Sequence, residues 1–164
     1  MRAFKQAALL CCGLLAFAIA PVIAVADDAP EAVFRAGTAE WIAAYNAGDV
    51  ERIIALYAAD ATVMPPDAPG AKGHAAIREY VRKDIAAARA AQVTLKDVSS
   101  DAGTSGELGW HSGRFEVVTA DGRSVGTGKY SEVWQKRDGK WRILQDIWNN
   151  DAPPPPSVPP KPAK

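Results

Sequence analysis

Cysteine is nearly absent from this chain, and the little there is falls in a segment expected to be removed. Cys11 and Cys12 are adjacent inside an apolar N-terminal run, so a chain cleaved after that run has neither disulfide nor catalytic thiol. Its stability must come from a packed core. Histidine is as scarce, with only His74 and His111. Two histidines so far apart, with no cysteine beside them, make no metal cluster, and neither a metal nor a cofactor is expected. A basic excess is missing too. Without Arg2 and Lys5, 17 of the 19 basic residues face 19 acidic ones, a net charge of −2 that offers no footprint for nucleic acid.

Residues 1–26 are set aside as a secretion signal. Arg2 and Lys5 form a positive start, Ala7 to Ala20 is uninterruptedly apolar, and Ala24-Val25-Ala26 is a small-x-small cleavage site before Asp27. The same run is long enough to just span a bilayer, but Pro21 and the cleavage site favour removal. The mature protein is expected in the periplasm or secreted, with no stable membrane association. Residues 152–164 are so rich in proline that they cannot supply backbone donors to a helix or sheet, and they read as an extended, solvated tail. Between the two, residues 27–151 form one domain with enough chain for a single core.

The most informative stretch is Glu40 to Val63. Trp41 and Tyr45 continue a helical stripe begun at Phe34, Gly48 breaks that helix, and Asp49 is placed to cap a second one carrying Ile53 and Ile54. The second helix runs straight into a strand at Ala61 to Met64. Pro65 to Gly70 can only be a loop. A third helix over about His74 to Ala91 puts Ile77, Tyr80, Val81, Asp84, Ile85 and Ala88 on one side. From Gln92 the period becomes two, with strands at Val93 to Val98, Gly106 to Thr119, Ser124 to Lys136 and Lys140 to Asn149. Three helices followed by a run of strands predict an α+β domain, cone-shaped and built around a pocket.

Asp121-Gly122 and Asp138-Gly139 read as two-residue hairpin turns, which fix register. On that register Arg114 faces Lys129, Ser112 faces Ser131, and Ser131 faces Asp146. One sheet face then carries Trp110, Ser112, Arg114, Thr127, Lys129, Ser131, Val133, Leu144, Asp146 and Trp148. Aromatic ends around a polar middle suit a pocket lining. The other face carries His111, Phe115, Val117, Tyr130, Glu132, Trp134, Trp141, Ile143 and Ile147, an apolar surface that suits a homodimer interface.

Four segments carry a family resemblance: Ala44-Tyr45-Asn46-Ala47-Gly48-Asp49, Leu56 to Val63, Gly73 to Glu79, and Asp138-Gly139-Lys140-Trp141-Arg142-Ile143. Over nearly the whole domain the chain resembles the nuclear-transport-factor-2-like superfamily, in its SnoaL-like and ketosteroid-isomerase-like branch. The resemblance implies three N-terminal helices packed on a curved, mostly antiparallel sheet that encloses a pocket. It is weak for activity, since the superfamily includes isomerases, cyclases, dehydratases and proteins without known chemistry. Ketosteroid isomerases use a helix-one tyrosine, an aspartate after the first strand and a protonated acid in the sheet. The corresponding positions here are Trp41, Pro65 and Ser131, which argues against steroid isomerisation by that route.

Asp146 is the candidate acid or base, set against a structural ion pair with Arg114. Trp41, Tyr45, Tyr57, Met64, Tyr80, Trp110, Ser112, Arg114, Ser131 and Trp148 are the candidate ligand contacts. Arg114 and Lys129 also offer an anion site, unless Asp146 or Glu116 neutralises them. His111 is a structural histidine on the interface face, and His74 is expected at the surface. Three functions stay open: a binding protein for a partly apolar organic molecule, an isomerase, cyclase or dehydratase using Asp146, and a non-catalytic dimeric association module.

Overall fold

The computed structural model describes residues 29–152; the expected signal and nearly all of the proline tail lie outside them. Helix α1 (Pro30–Ala47) starts on a proline, whose missing N–H is not needed in a first turn. It stops at Gly48, which turns left-handed (φ 73°) and donates its N–H back to the last carbonyls of the helix. Asp49 follows at once and accepts a hydrogen bond from the Arg52 N–H at 3.2 Å, starting the single turn α2 (Val50–Ile54). Strand β1 (Tyr57–Met64) begins earlier than its sequence pattern marks, because Tyr57 and Ala58 are already extended and buried. A two-residue strand, β2 (Ala71–Lys72), pairs with it and carries no sequence signal of its own. Helix α3 (Gly73–Ala90) buries Ile77, Val81 and Ile85.

The remaining strands are long: β3 (Val93–Ser105), β4 (Leu108–Thr119), β5 (Ser124–Arg137) and β6 (Lys140–Asn150). The sheet order is β2-β1-β6-β5-β4-β3, antiparallel except where β1 lies parallel to β6. The architecture is the expected α+β one, with the helices packed on a curved six-stranded sheet. Among the described residues no helix is long and apolar enough to cross a membrane.

The turns refine the expected register. Asp138 and Gly139 both have positive φ, as a two-residue hairpin loop of this hand requires, and Arg137 faces Lys140. The other loop has three residues, Ala120 to Gly122, and a bulge at Val125 restores the pairing, so Arg114 still faces Lys129 and Ser112 still faces Ser131. A further bulge at Leu144 changes more. Trp134 pairs with Ile143, but beyond Leu144 the partners move by one: Glu132 faces Asp146, Ser131 faces Ile147, and Tyr130 faces Trp148. One inserted residue exchanges the faces of everything after it.

The assignment of the two faces is also reversed, because the helices pack on the side of the sheet that carries Trp134. His111, Glu132, Trp134, Trp141 and Ile143 point at the helices and are buried; Trp134, 2 % exposed, stacks on Phe34 with ring centroids 5.1 Å apart. This apolar surface is the core of the domain and not a subunit interface. Trp110, 45 % exposed, stands on the outer face together with Ser112, Arg114 and Ser131. Asp146 and Trp148 are carried inward by the Leu144 bulge, and Ile147 is turned out, 46 % exposed.

Candidate functional site

Between the helices and the concave face of the sheet lies a cavity of about 380 Å³, within the range of small-molecule sites. Helix α1 contributes Thr38, Trp41, Ile42 and Tyr45, spaced so that one helical face lines the opening. Helix α3 adds Tyr80 and Asp84, one turn apart. The loop after β1 adds Pro66, Asp67 and Ala68, as a rim loop should. The sheet supplies Leu95, Phe115, Val117, Tyr130, Glu132, Asp146, Trp148 and Asn150. Two glycines let the sheet hold aromatic rings flat against it. An added Cβ at Gly128 would sit 2.2 Å from the Phe115 ring, and one at Gly113 would sit 2.4 Å from the Tyr130 hydroxyl.

The buried end of the cavity holds two acids, Glu132 and Asp146, each hydrogen-bonded to partners of its own. Trp41 donates its indole N–H to the Tyr57 hydroxyl at 3.0 Å, and Tyr57 donates to Asp146 Oδ2 at 2.6 Å. The other oxygen, Oδ1, has no hydrogen-bond partner among the described residues. Glu132 accepts from Trp134 Nε1 at 2.8 Å and from the Thr38 hydroxyl at 3.3 Å. His111 Nδ1 lies 2.9 Å from Thr38 Oγ1 and 3.3 Å from Glu132 Oε2, while its Nε2 has no partner among the described residues. Burial, and then the neighbouring Glu132, push the Asp146 carboxyl up to about 8, against the Tyr57 hydrogen bond. At neutral pH this acid holds its proton. Burial also drives Tyr45, Tyr57, Tyr80 and Tyr130 well above the usual phenol range, so they remain neutral.

Nearer the opening, Tyr45 stacks on Trp41 at 5.1 Å and donates to Asp84 Oδ2 at 2.7 Å. Tyr80 and Trp148 form a second aromatic pair, 5.7 Å apart. Such a site can enclose an apolar body, present aromatic faces, and give or take a proton at its floor.

Of the expected site residues, Trp41, Tyr45, Tyr80, Asp146 and Trp148 line this cavity, and Tyr57 lies behind it as the partner of Asp146. Met64 does not line it; the neighbouring Val63 is the inward residue at the end of β1. Trp110, Ser112, Arg114 and Ser131 lie on the outer face, the last three around an open depression there. The Asp146–Arg114 ion pair does not form. Arg114 and Lys129 instead share Asp151, at 3.1 and 2.9 Å, so neither Asp146 nor Glu116 is their counter-charge. Trp148 is on the opposite face from that pair. His74 is half-buried, its Nε2 3.1 Å from the Tyr57 carbonyl. Among the described residues no group of three or more side chains is arranged to hold a metal.

Sequence reasoning missed Glu132, Thr38 and Asp84 as site residues. The signal for Glu132 was present: a carboxylate and a histidine in an otherwise apolar stripe need buried partners. The position matched to the sheet acid of ketosteroid isomerases, Ser131, points outward, and the buried acids are its neighbour Glu132 and Asp146.

Comparison with known proteins agrees with this architecture. The profile of the SnoaL-like domain matches residues 38–143. A protein of unknown function from Mycobacterium tuberculosis is similar at 25% identity, covering 72% of this chain and 69% of its own, with a TM-score of 0.59. An NTF2-like protein of unknown function from Pseudomonas putida superposes with a TM-score of 0.64 at 17% identity, covering 76% of this chain and 96% of its own. A Caulobacter vibrioides protein with a cystatin-like fold does so with a TM-score of 0.64 at 17% identity, covering 73% and 88%. Among curated proteins none matches the chain significantly.

Proposed function

The chain belongs to the SnoaL-like family of the nuclear-transport-factor-2-like superfamily, and on that premise we propose that it binds a small, partly apolar organic molecule in its cavity, as an exported protein. The observation that carries this is the cavity itself, walled by two aromatic pairs and floored by a buried acid pair. A core evolved only for stability would close such a space, since an unfilled cavity is destabilising. Ligand-observed NMR of the mature chain against a metabolite library tests it. Hits whose binding shifts the Trp41 and Trp148 indole signals are expected, and a cavity that shifts with no compound overturns it. The exported state rests on the sequence of residues 1–26. Cell fractionation that leaves the full-length protein in the cytoplasm would overturn that part.

An acid–base role in an isomerase, cyclase or dehydratase type of step is favoured by one specific observation: Asp146 holds its proton near neutral pH and its Oδ1 is uncommitted. In that role Asp146 gives a proton to a bound substrate, and Tyr57, itself held by Trp41, stabilises the carboxylate left behind. Asp146→Asn should abolish any product formation seen when library hits are incubated with the protein; unchanged turnover removes Asp146 from catalysis.

A homodimer is proposed on different grounds from the sequence pattern, because the Trp134 face is occupied by the helices. The outer face, with Trp110 and Ile147 exposed, is the surface left for a second copy. Sedimentation equilibrium should give twice the monomer mass, and Trp110→Glu should return it to the monomer.

A further inference from the structure

We propose that the cavity selects an organic cation, a quaternary ammonium or protonated amine carried on a small apolar body. This rests on the reading of the cavity as a ligand site and adds the charge of what it holds. Among the described residues, every formally charged side chain in its lining is acidic: Asp67 at the rim, Asp84 on α3, and Glu132 and Asp146 at the floor. Among the described residues no lysine, arginine or histidine lines it. The surface Arg114 and Lys129 are spent on Asp151 across the sheet.

Two further observations point the same way, the first of them independently of the acids. The Trp41–Tyr45 stack and the Tyr80–Trp148 pair line the cavity, and the quadrupole of an aromatic ring attracts a cation to its face and not an anion. The Asp146 side chain is 5 % exposed, lines the cavity, and leaves Oδ1 without a partner among the described residues. When Asp146 is ionised, that carboxylate oxygen on the cavity lining is an acceptor that an ammonium or a protonated amine satisfies.

The alternatives fit less well. An anion would meet acidic groups, and the hydroxyls of Tyr45 and Tyr57 are already committed to Asp84 and Asp146. A neutral ligand would bring no positive charge to the acids of the lining, whose partners at the floor, Thr38, Trp134 and Tyr57, are uncharged apart from what His111 supplies. A bare metal ion needs a compact set of oxygens that the described residues do not assemble.

The test compares three ligands of one shape and different charge: choline, its neutral carbon isostere 3,3-dimethylbutan-1-ol, and the anion 3,3-dimethylbutanoate, with phenyl-bearing members of each charge. Calorimetry on the mature chain at pH 8.5, with indole shifts of Trp41 and Trp148 to locate binding, should rank the cations at least tenfold above the neutral members, with no binding of the anions. Asp84→Asn keeps an acceptor for Tyr45 and removes one charge; it should weaken the cation several-fold and leave the neutral isostere unchanged. Neutral or anionic members that bind in the cavity as tightly as the cations overturn the cation assignment and leave the ligand site standing. A cavity that shifts with none of these nor with any library compound overturns both.

Discussion

Glu132 and Asp146 stand directly opposite each other on β5 and β6, each about nineteen-twentieths buried and each turned toward the same cavity. Two carboxyl groups so placed cannot ionise independently, and Asp146 is the one whose proton is held. Removing the charge of its neighbour with Glu132→Gln should therefore lower the Asp146 midpoint from about 8, while burial keeps it above an ordinary carboxylate. Carbon-13 NMR titration of the Asp146 carboxyl reads this directly. A midpoint that does not move would assign the whole shift to burial.

The same carboxyl makes stability fall as pH rises. In the unfolded chain an aspartate ionises near about 4, whereas in the folded state Asp146 keeps its proton to about 8. Between those values the folded state binds more protons than the unfolded one, so the unfolding free energy declines, by roughly 1.4 kcal/mol for each unit separating the two midpoints. Tyr57 remains un-ionised throughout this window. Asp146→Asn, which stays neutral and can still accept from Tyr57, should flatten the decline. Urea unfolding at pH 5 and pH 8.5 measures it, and an equal slope in both proteins would contradict the buried placement.

Substituting the two faces separately should give very different stabilities. Trp134 is buried, stacks on Phe34 and donates to Glu132. Trp134→Ala is expected to cost about 3–5 kcal/mol. Trp110→Ala on the outer face should change monomer stability by less than about 1 kcal/mol. Denaturant curves for the two variants decide which face is core, and comparable losses would count against the arrangement.

Gly128 lies under the Phe115 ring, in a space where any β-carbon collides with it. Gly128→Val should push that ring into the cavity and destabilise the domain by roughly 1–3 kcal/mol. Thermal unfolding and a crystal structure of the variant would show the loss together with a displaced Phe115. A ring left in place with unchanged stability would mean that the strand, and not the ring, gives way.

Much of the fold is local in origin and was legible for that reason. Gly48 and Asp49 end one helix and begin the next through their own backbone and side-chain preferences, and Asp138-Gly139 makes its turn with no help from the rest of the chain. The inward residues of α3 follow from 3.6-residue spacing alone. Strand β2 was invisible because two residues have no period, and they are extended only by pairing with β1.

The site divides along the same line. Trp41 and Tyr45 share one face of α1, and Tyr80 and Asp84 one face of α3, because helical geometry fixes their directions, and the sequence alone determined that. Which side of the sheet meets those helix faces, and the inward turn of Asp146, were decided only in three dimensions. Alternation by two says that residues share a face but not which face. The extra residue at Leu144 then reverses the phase of β6 through pairings with β5 and β1 that no neighbouring residue encodes.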